Sequence, residues 1–215
     1  MYNLELLESI VQQAFANAER GHDYWHAMRV VQNARYISSI EGGNISIIEA
    51  SAWAHDMVDE KFTSLEHSID SVNTILLQCG FSKHECETII YIISNISFKG
   101  GLSTVENPSI ELQIVQDADR IDAMGAIGIA RAFHYGGFKN RELYNPTIEP
   151  EIFKTESEYR NSQGHTINHF YEKLFTLYSR MNTATAKRIA KQRHEYMETF
   201  VSQFLQEWNG NFDVI

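Results

Sequence analysis

Apolar residues recur at every third or fourth position along most of the chain, which is the period of an amphipathic α-helix. The first such stretch begins at Leu4, and Gly21 is its predicted stop. A second helix is predicted from Asp23, a good N-cap residue, to about residue 40, just before Gly42-Gly43. The hydrophobic pattern therefore predicts helices from the start of the chain.

The pattern Ser/Thr-x-x-Glu, which is typical of a helix N-terminus, opens the next three predicted helices. In such a capping box the two side chains satisfy backbone N–H groups of the first turn. The helix that opens at Ser46 is predicted to continue through His55 and Asp56. Start signals at such short intervals are hard to reconcile with strands. The three boxes are Ser46-x-x-Glu49, Thr63-x-x-Glu66 and Ser82-x-x-Glu85.

The second half of the chain is predicted to contain further helices and one long irregular segment. After a loop over 98–108, apolar periodicity and many small residues predict a long helix from about 109 to 134. From 135 to 164 the helical period is lost, and the segment is rich in glutamate and interrupted by glycine and proline. A loop this long in a compact domain is often a lid or a binding element. Two last helices are predicted over about 166–181 and 185–208.

Together these elements predict an all-α fold, with one helical bundle over 1–215 and a long irregular loop before the last helices. A chain of 215 residues, of which 43% are hydrophobic, can bury a sizeable core without disulfides. Only three prolines and twelve glycines argue against a fold of many short strands.

The net charge of −10 disfavours binding to nucleic acid, because such proteins usually present a basic surface. A phosphate-bearing ligand would need a local cation, for which a bound metal ion is the obvious candidate. Two cysteines are too few for a disulfide framework and indicate reduced thiols. The sequence predicts neither a signal peptide nor a membrane span. We therefore expect a cytoplasmic protein whose partner is a small molecule, and neither a nucleic acid nor a membrane.

Two histidines and two aspartates form the strongest candidate site. His55-Asp56 is predicted inside a helix, where a partly buried carboxylate needs a partner to offset its desolvation. A metal ion against the helix between the two side chains can be reached by both. His26 and Asp119 are the candidates for further ligands from other helices. Two imidazoles and two carboxylates suit Mn²⁺, iron, Co²⁺, Ni²⁺ or Zn²⁺.

The pattern of these residues resembles the H…HD…D signature of the HD superfamily of metal-dependent phosphohydrolases. The surrounding sequence motifs are similar to those of small stand-alone bacterial HD hydrolases of the YedJ/YpgQ type, from about residue 20 to beyond 175. The resemblance implies a single HD domain over 1–215, with the motif core at about 20–130 and C-terminal helices at 165–208 packed on it. These motifs are His22-Asp-Tyr-Trp-His26-x-x-Arg29-Val30, His55-Asp56-x-x-Asp59-Glu60-Lys61, Asp117-Ala-Asp119-Arg120-Ile-Asp122 and Thr166-Ile-Asn-His169-Phe-x-x-Lys173.

The resemblance also implies the ligands of the metal ion. Asp122 lies one turn after Asp119 and is the alternative ligand in its place. Arg120 is expected beside the site. Because His67 and His84 match no bridging motif, we expect one divalent ion. Mn²⁺ is favoured, and Ni²⁺, Co²⁺, Fe²⁺, Zn²⁺ or Mg²⁺ are compatible with the donors. The implied ligands are His26, His55, Asp56 and Asp119.

The stretch that begins at His55-Asp56 also resembles the HDxxED motif of HD-type alarmone hydrolases. Its acidic pair is in the reverse order, Asp59-Glu60 instead of Glu-Asp. On a helix both acids would share a face with Asp56, so the resemblance implies that Asp59 or Glu60 activates the attacking water. Four basic residues are candidates to bind the substrate phosphates, each with a surface or salt-bridge role as the alternative. They are Arg29, Lys61, His169 and Lys173.

The activity that the resemblance implies is hydrolysis of a small phosphorylated metabolite, with a nucleotide as the favoured substrate. Cleavage of a nucleoside triphosphate to monophosphate and pyrophosphate is the leading reaction. A phosphomonoesterase of the 5′-nucleotidase kind and an alarmone hydrolase are alternatives among enzymes. The alternative of another class is a non-catalytic HD module that binds a ligand. A homodimer is compatible with the sequence.

Overall fold

The computed structural model describes residues 2–16, 23–58, 69–96, 105–153, 158 and 164–210. These ranges contain helices and no strand, so the prediction of an all-α fold is confirmed. The predicted stop at Gly21 and the box Thr63-x-x-Glu66 lie outside the described residues. The α-helices are α1 (Leu4–Ala14), α2 (Tyr24–Glu41), α3 (Ile45–Ala54), α4 (Ile69–Gln78), α5 (Lys83–Ser94), α6 (Ile110–Asp122), α7 (Gly125–Phe138), α8 (Asn168–Glu172) and α9 (Ala184–Trp208); two 3-10 helices span His55–Val58 and Leu174–Arg180.

The ends of α2 and α5 follow the signals in the sequence. Asp23 caps α2 by accepting a hydrogen bond from the backbone N–H of His26, and Gly42 ends the helix with a φ of 86°. Ser82 and Glu85 form the predicted capping box at the start of α5. A side-chain cap of this kind contributes about 1 kcal/mol to helix stability.

The start of α3 differs from the prediction. The side chain of Asn44 caps the helix by accepting from the backbone N–H of Ser46. Glu49 instead forms an ion pair of 2.7 Å with Arg35 of α2. The capping box predicted at Ser46 is therefore wrong, because Asn44 already caps the helix and Glu49 is used to join α3 to α2.

The end of α3 also differs from the prediction. The sequence pattern predicts a continuous helix through His55 and Asp56, whereas α3 ends at Ala54 and both residues lie in the 3-10 helix. The tighter winding of a 3-10 helix, about three residues per turn, changes the angle between adjacent side chains. Both side chains remain buried at this transition.

The long helix predicted over 109–134 consists of two helices, α6 and α7, which meet at a turn. Met124 is extended and Gly125 has a φ of 69°, a left-handed conformation that residues other than glycine rarely adopt. An added Cβ at Gly128 would lie 2.2 Å from the carbonyl oxygen of Ala123. Glycines of this stretch are therefore required by the turn, and α7 continues to Phe138, beyond the predicted end.

The chain from the end of α7 to 153 is irregular, as predicted, and part of it is tied to the start of α8. The backbone N–H groups of Thr166 and Ile167 donate to the carbonyl oxygens of Glu142 and Leu143 at 2.9 and 3.1 Å. The helix predicted over 166–181 is shorter than expected, since Lys173 leaves helical geometry with φ of −135° and ψ of −60°. The last predicted helix matches α9.

The helices α2, α3 and α6 form the centre of the packing. Helix α2 packs most extensively against α6 and α3, while α9 packs on α7, α6 and α2. Their facing sides build a continuous apolar core, and none of the described helices is long and apolar enough to cross a membrane. Fully buried members of this core include Leu7, Val30, Ile37, Ile48, Ile89 and Ile121.

Candidate metal centre

Three elements bring four ionisable side chains to one point of the helical bundle. His26 lies in the first turn of α2, held there by the Asp23 cap. His55 and Asp56 lie in the 3-10 helix that follows α3, and Asp119 lies in the last turn of α6. Because α2 packs directly against α3 and α6, the four side chains meet.

The side chains meet through one nitrogen of each histidine and one oxygen of each aspartate. The Nε2 atoms of His26 and His55 are 3.3 Å apart. Asp56 Oδ2 lies 3.6 Å from the first nitrogen and 3.3 Å from the second. Asp119 Oδ1 lies 3.4 and 3.9 Å from the same two nitrogens. Four potential ligand atoms thus face a common centre.

Hydrogen bonds on the far side of each imidazole ring determine which nitrogen faces this centre. His26 Nδ1 is 2.7 Å from Asp122 Oδ2, and His55 Nδ1 is 2.8 Å from the carbonyl oxygen of Ala52. An ionised carboxylate and a carbonyl oxygen can only accept, so each Nδ1 carries the hydrogen. In a neutral ring Nε2 then presents its lone pair to the centre, in the form that binds metal ions.

The separations among the ligand atoms of His26, His55 and Asp56 are close to those around a bound metal ion, and Asp119 Oδ1 lies somewhat farther from His55 Nε2, at 3.9 Å. Two Nε2 lone pairs 3.3 Å apart repel each other unless a positive charge, either a proton or a metal ion, lies between them. Ligand atoms about 2.1 Å from a metal ion are about 3.0–3.5 Å apart at tetrahedral or octahedral angles. The ligand atoms of His26, His55 and Asp56 all lie within 4.8 Å of one another, and the three residues are buried. The donor set of nitrogen and oxygen suits a divalent transition metal.

The charges around the centre favour a cation. Burial opposes protonation of His55, but the Asp56 and Asp119 carboxylates outweigh it and raise the pKa of His55 to about 9. Burial opposes ionisation of Asp119, but His26 and His55 lower the pKa of this carboxyl to about 2. The side chain of Asp119 is 30% exposed, against 1% for His26. The centre therefore attracts positive charge and opens to solvent beside Asp119.

Asp122 lies behind His26, on the opposite side of the ring from the centre. Arg29 donates to both carboxylate oxygens of Asp122, to Oδ1 at 2.6 Å and to Oδ2 at 3.0 Å, and Arg131 donates to Oδ2 as well. Burial opposes ionisation of Asp122, yet His26 and the two arginines outweigh it and hold its pKa well below the usual range. Asp122 thus orients His26, while Asp119 supplies the oxygen that faces the centre.

Arg120 and Asp117 have partners that join α6 to the C-terminal part of the chain. Arg120 donates to the carbonyl oxygen of Arg180 at 2.6 Å and lies 3.9 Å from Asp117. Asp117 is fully buried and accepts from the backbone N–H groups of Asn182 and Thr183, both at 2.8 Å. These contacts fix the position of the helix that carries Asp119.

The remaining candidates for catalysis and substrate binding stay predictions. Asp59, Glu60 and Lys61 lie outside the described residues. His169 lies in α8 and Lys173 directly follows that helix, where the Lys173 N–H donates to the His169 carbonyl oxygen at 3.0 Å. Burial lowers the pKa of the His169 imidazole to about 3, and the charges of Lys173 and Arg141 act in the same direction. His169 is therefore a neutral side chain at physiological pH.

Arg131 is a residue of this region that the sequence analysis does not single out. It contacts Asp122 across nine positions of the chain. In one continuous helix, at about 1.5 Å of rise per residue, these residues would be about 13 Å apart along the axis. The contact exists because the chain turns between α6 and α7, so only recognition of that turn could have revealed it.

Comparison with known proteins shows the family to which the chain belongs. The sequence model of the HD domain matches residues 24–124, a range that includes all four side chains of the centre. YpgQ of Bacillus subtilis is 36% identical to this chain over 208 residues, which are 96% of this chain and 94% of YpgQ. The chain belongs to the HD-domain family. The resemblance carried by the H…HD…D residues is thereby confirmed, and a divalent metal ion is the ligand expected of an HD domain.

Solved structures of related proteins cover nearly all of this HD protein. A Lactobacillus plantarum protein superposes with a TM-score of 0.86 at 37% identity, over 97% of this chain and 98% of the other. An HD-superfamily hydrolase from Bacillus thuringiensis gives a TM-score of 0.76 at 40% identity, over 96% of both chains. The crystal structure of YpgQ in complex with ADP gives 0.78 at 32% identity, over 100% of both chains. The HD protein is thus related over its length to HD-superfamily hydrolases.

Proposed function

We propose that this HD protein is a metal-dependent phosphohydrolase whose substrate is a nucleotide. The observation that carries the proposal is the set of four ligand atoms that face one centre, in which each carboxylate oxygen lies 3.3 to 3.9 Å from the two Nε2 atoms. His26, His55, Asp56 and Asp119 would hold one divalent ion, for which Mn²⁺ is the favoured metal. When bound, such an ion supplies a Lewis acid for a phosphoryl oxygen and a water of lowered pKa.

The residues of the protein prepare this site before any substrate arrives. Asp122 and the carbonyl oxygen of Ala52 hold the two imidazoles with Nε2 towards the centre. Burial of His26 and His55 keeps water away from the rear of the site. The exposed part of the Asp119 side chain leaves one side open, through which a phosphate group can approach. Ligands held in place beforehand need little reorganisation during the reaction.

The proton of the attacking water needs an acceptor, and we assign this role to Asp59 or Glu60. They follow Asp56 by three and four positions in the chain. A carboxylate within hydrogen-bonding distance of the water would take its proton as the new P–O bond forms, while the bond from the same phosphorus to the bridging oxygen breaks and that oxygen departs with the leaving group. Lys61, His169 and Lys173 are candidates to bind the phosphate groups, and Arg29 is a further candidate through the part of its guanidinium that Asp122 does not use.

Two observations support a nucleotide as the substrate. YpgQ, which aligns with the whole of this chain, has been crystallised in complex with ADP. The net charge of −10 disfavours a long polyanion on the surface but not a small phosphorylated ligand at a metal ion. We therefore propose a nucleoside triphosphate as the substrate, with the monophosphate and pyrophosphate as products.

A panel of nucleotides incubated with Mn²⁺ tests this proposal, provided that orthophosphate and pyrophosphate are measured separately. Pyrophosphate released from a nucleoside triphosphate is the expected result. Orthophosphate released from a nucleoside monophosphate would identify a phosphomonoesterase instead, and pyrophosphate released from a guanosine alarmone would identify an alarmone hydrolase. A protein that binds Mn²⁺ but hydrolyses none of these substrates would be a ligand-binding module.

A pair of aspartate variants provides the control for this assay. Asp56→Asn should remove activity, because it replaces a charged donor of the centre by a neutral amide. Asp70→Asn changes an exposed aspartate of α4 in the same way and should leave the activity unchanged. Full activity in Asp56→Asn would mean that hydrolysis takes place elsewhere.

A further inference from the structure

Three arginines from three helices converge on the C-terminal end of α6. Arg29 of α2 and Arg131 of α7 donate to the Asp122 carboxylate. Arg193 of α9 donates to the carbonyl oxygen of Ile121 at 2.5 Å. The last turn of a helix carries partial negative charge on its carbonyl oxygens, so cations are favourable there. The Asp122 carboxylate connects two of these arginines to a histidine of the metal centre.

The turn between α6 and α7 makes the contact of Arg131 possible. Gly125 adopts a φ of 69°, and an added Cβ there would lie 3.0 Å from the side chain of Arg193. At Gly128 an added Cβ would lie 2.2 Å from the carbonyl oxygen of Ala123. Both glycines allow α7 to begin close against the end of α6. As a result Arg131, nine residues after Asp122, can reach back to it.

Arg131 and His26 share one oxygen atom of Asp122. The oxygen is Oδ2, which lies 2.7 Å from His26 Nδ1 and accepts from the guanidinium of Arg131. The same guanidinium nitrogen lies 2.9 Å from His26 Nδ1. We infer that His26 Nδ1 and the Arg131 nitrogen both donate to Oδ2. If Nδ1 instead accepted a hydrogen bond from Arg131, its lone pair would face the Asp122 carboxylate oxygen at 2.7 Å, which is repulsive. Arg131 therefore fixes the oxygen that determines the tautomer of His26.

Arg29 and Arg131 hold the carboxylate in different ways. Arg29 lies three residues after His26 on α2, so its forked contact with Asp122 moves together with the histidine. Arg131 approaches from α7 and therefore fixes Asp122 independently of α2. The orientation of the His26 ring is thus supported through Asp122 by a contact made from α7 as well as by α2 itself.

We propose that Arg131 is a positioning residue of the metal centre, acting through Asp122 on His26. By holding Oδ2 against His26 Nδ1 it keeps the Nε2 lone pair directed at the other three donors, and so raises the affinity for the metal ion. This inference rests on the proposed metal site, although not on the identity of the substrate. Groups that orient metal-binding histidines typically contribute about tenfold to a hundredfold to metal affinity.

Calorimetric titration of the metal-free protein with Mn²⁺ tests this role without any measurement of turnover. Arg131→Gln should weaken Mn²⁺ binding by about tenfold, while its circular dichroism spectrum stays that of the wild type. Arg131→Lys keeps a positive charge near Oδ2 and should recover part of the affinity. Arg188→Gln is the matched control, because Arg188 is an exposed arginine of α9 whose side chain donates to the Tyr36 hydroxyl. It should bind Mn²⁺ like the wild type.

A double-mutant cycle with Asp122→Asn tests whether Arg131 acts through Asp122. If it does, the double variant binds Mn²⁺ no more weakly than Asp122→Asn alone. Losses that multiply, or an Arg131→Gln protein that binds like the wild type, would overturn the proposal. A wild type that binds no Mn²⁺ would overturn the proposed metal site together with it. Intact Mn²⁺ binding without hydrolysis of any nucleotide would leave the role of Arg131 standing and contradict only the proposed function.

Discussion

Asp119 and Asp122 lie one turn apart on α6, and their neighbours give them different roles. Asp119 Oδ1 lies 3.4 Å from His26 Nε2, on the side of the ring that faces the centre. Asp122 Oδ2 lies 2.7 Å from Nδ1, on the opposite side. The sequence leaves both residues open as the last ligand, whereas the geometry favours Asp119 as the ligand and Asp122 as the residue that orients His26.

We expect replacement of these two aspartates to have unequal effects on metal binding. Asp119→Ala should abolish Mn²⁺ binding because it removes a donor atom of the centre. Asp122→Asn should weaken binding by about tenfold to a hundredfold, because the amide can still contact His26 but orients it less firmly. Titration of the metal-free variants with Mn²⁺ measures both effects. Binding that survives Asp119→Ala but not Asp122→Asn would reverse the assignment.

His169 gives a pH dependence of stability that is separate from the metal centre. Burial lowers the pKa of His169 to about 3 in the folded protein, from an ordinary value of 6.5. The folded state therefore binds this proton less readily than the unfolded state. The contribution of neutral His169 to stability is fully present above pH 6.5 and is lost as the pH falls towards 3.

We expect the wild type to lose more free energy of unfolding between neutral pH and pH about 4 than His169→Gln does. Urea unfolding at the two pH values measures the difference. His84→Gln is the control, since the His84 side chain is 91% exposed, and it should lose as much as the wild type. Equal losses in the wild type and in His169→Gln would show that this imidazole is not held neutral by burial.

At the scale of residues, what the sequence could predict depends on how local the signal is. Short sequence motifs contain His26, His55-Asp56 and Asp119, and their residue types suit a metal ion. The sequence alone is therefore enough to single them out. The contacts that orient them could not be predicted. Arg131 reaches Asp122 only because of a turn, and the carbonyl oxygen of Ala52 reaches His55 Nδ1 only because α3 changes to a 3-10 helix.

At the scale of elements, neighbouring glycines of α7 lie in different environments. An added Cβ at Gly136 would lie 2.2 Å from Thr166 Oγ1, whereas nothing lies within 4 Å of one at Gly137. Thr166 is buried and its hydroxyl donates to the carbonyl oxygen of Glu142 at 3.2 Å. The side chain of Thr166 therefore cannot turn away without losing that hydrogen bond. Gly136 is the point at which α7 approaches the segment before α8.

We expect alanine substitution at these two glycines to change stability in opposite directions. Gly136→Ala should lower the free energy of unfolding by about 1–3 kcal/mol, because the methyl group overfills the contact with Thr166. Gly137→Ala should raise it by up to about 1 kcal/mol, because alanine favours the helix and meets no neighbour. Urea unfolding of both variants measures the difference. Equal destabilisation would contradict the close approach at Gly136.

The helix boundaries illustrate which elements the sequence can define. Helices whose ends carry their own chemical signals are predicted well, as at the Asp23 cap of α2 and the Ser82 box of α5. The break between α6 and α7 is missed because the apolar period continues across it and glycines also occur where no turn is made. Gly125 combines a left-handed conformation with close packing, since an added Cβ would lie 3.0 Å from the side chain of Arg193 of α9, and such a contact between distant helices is tertiary information.

At the scale of the whole molecule, the packing of three helices explains how an acidic protein can take a phosphorylated substrate. Helices α2, α3 and α6 bring together donors that are widely separated in the chain. Part of the net charge of −10 is thereby concentrated at one buried centre, where Asp56 and Asp119 favour a cation. A divalent ion there would invert the sign of the local charge and attract a phosphate group, while the remaining acidity still disfavours nucleic acids.

The most direct test is the restoration of hydrolysis to metal-free protein. Protein treated with a chelator and then freed of it should release no pyrophosphate from a nucleoside triphosphate. Added Mn²⁺ should restore the release in proportion to the occupancy of a single binding site. Hydrolysis that persists without a metal ion, or that fails to return in a protein to which Mn²⁺ has bound, would contradict a metal-dependent phosphohydrolase.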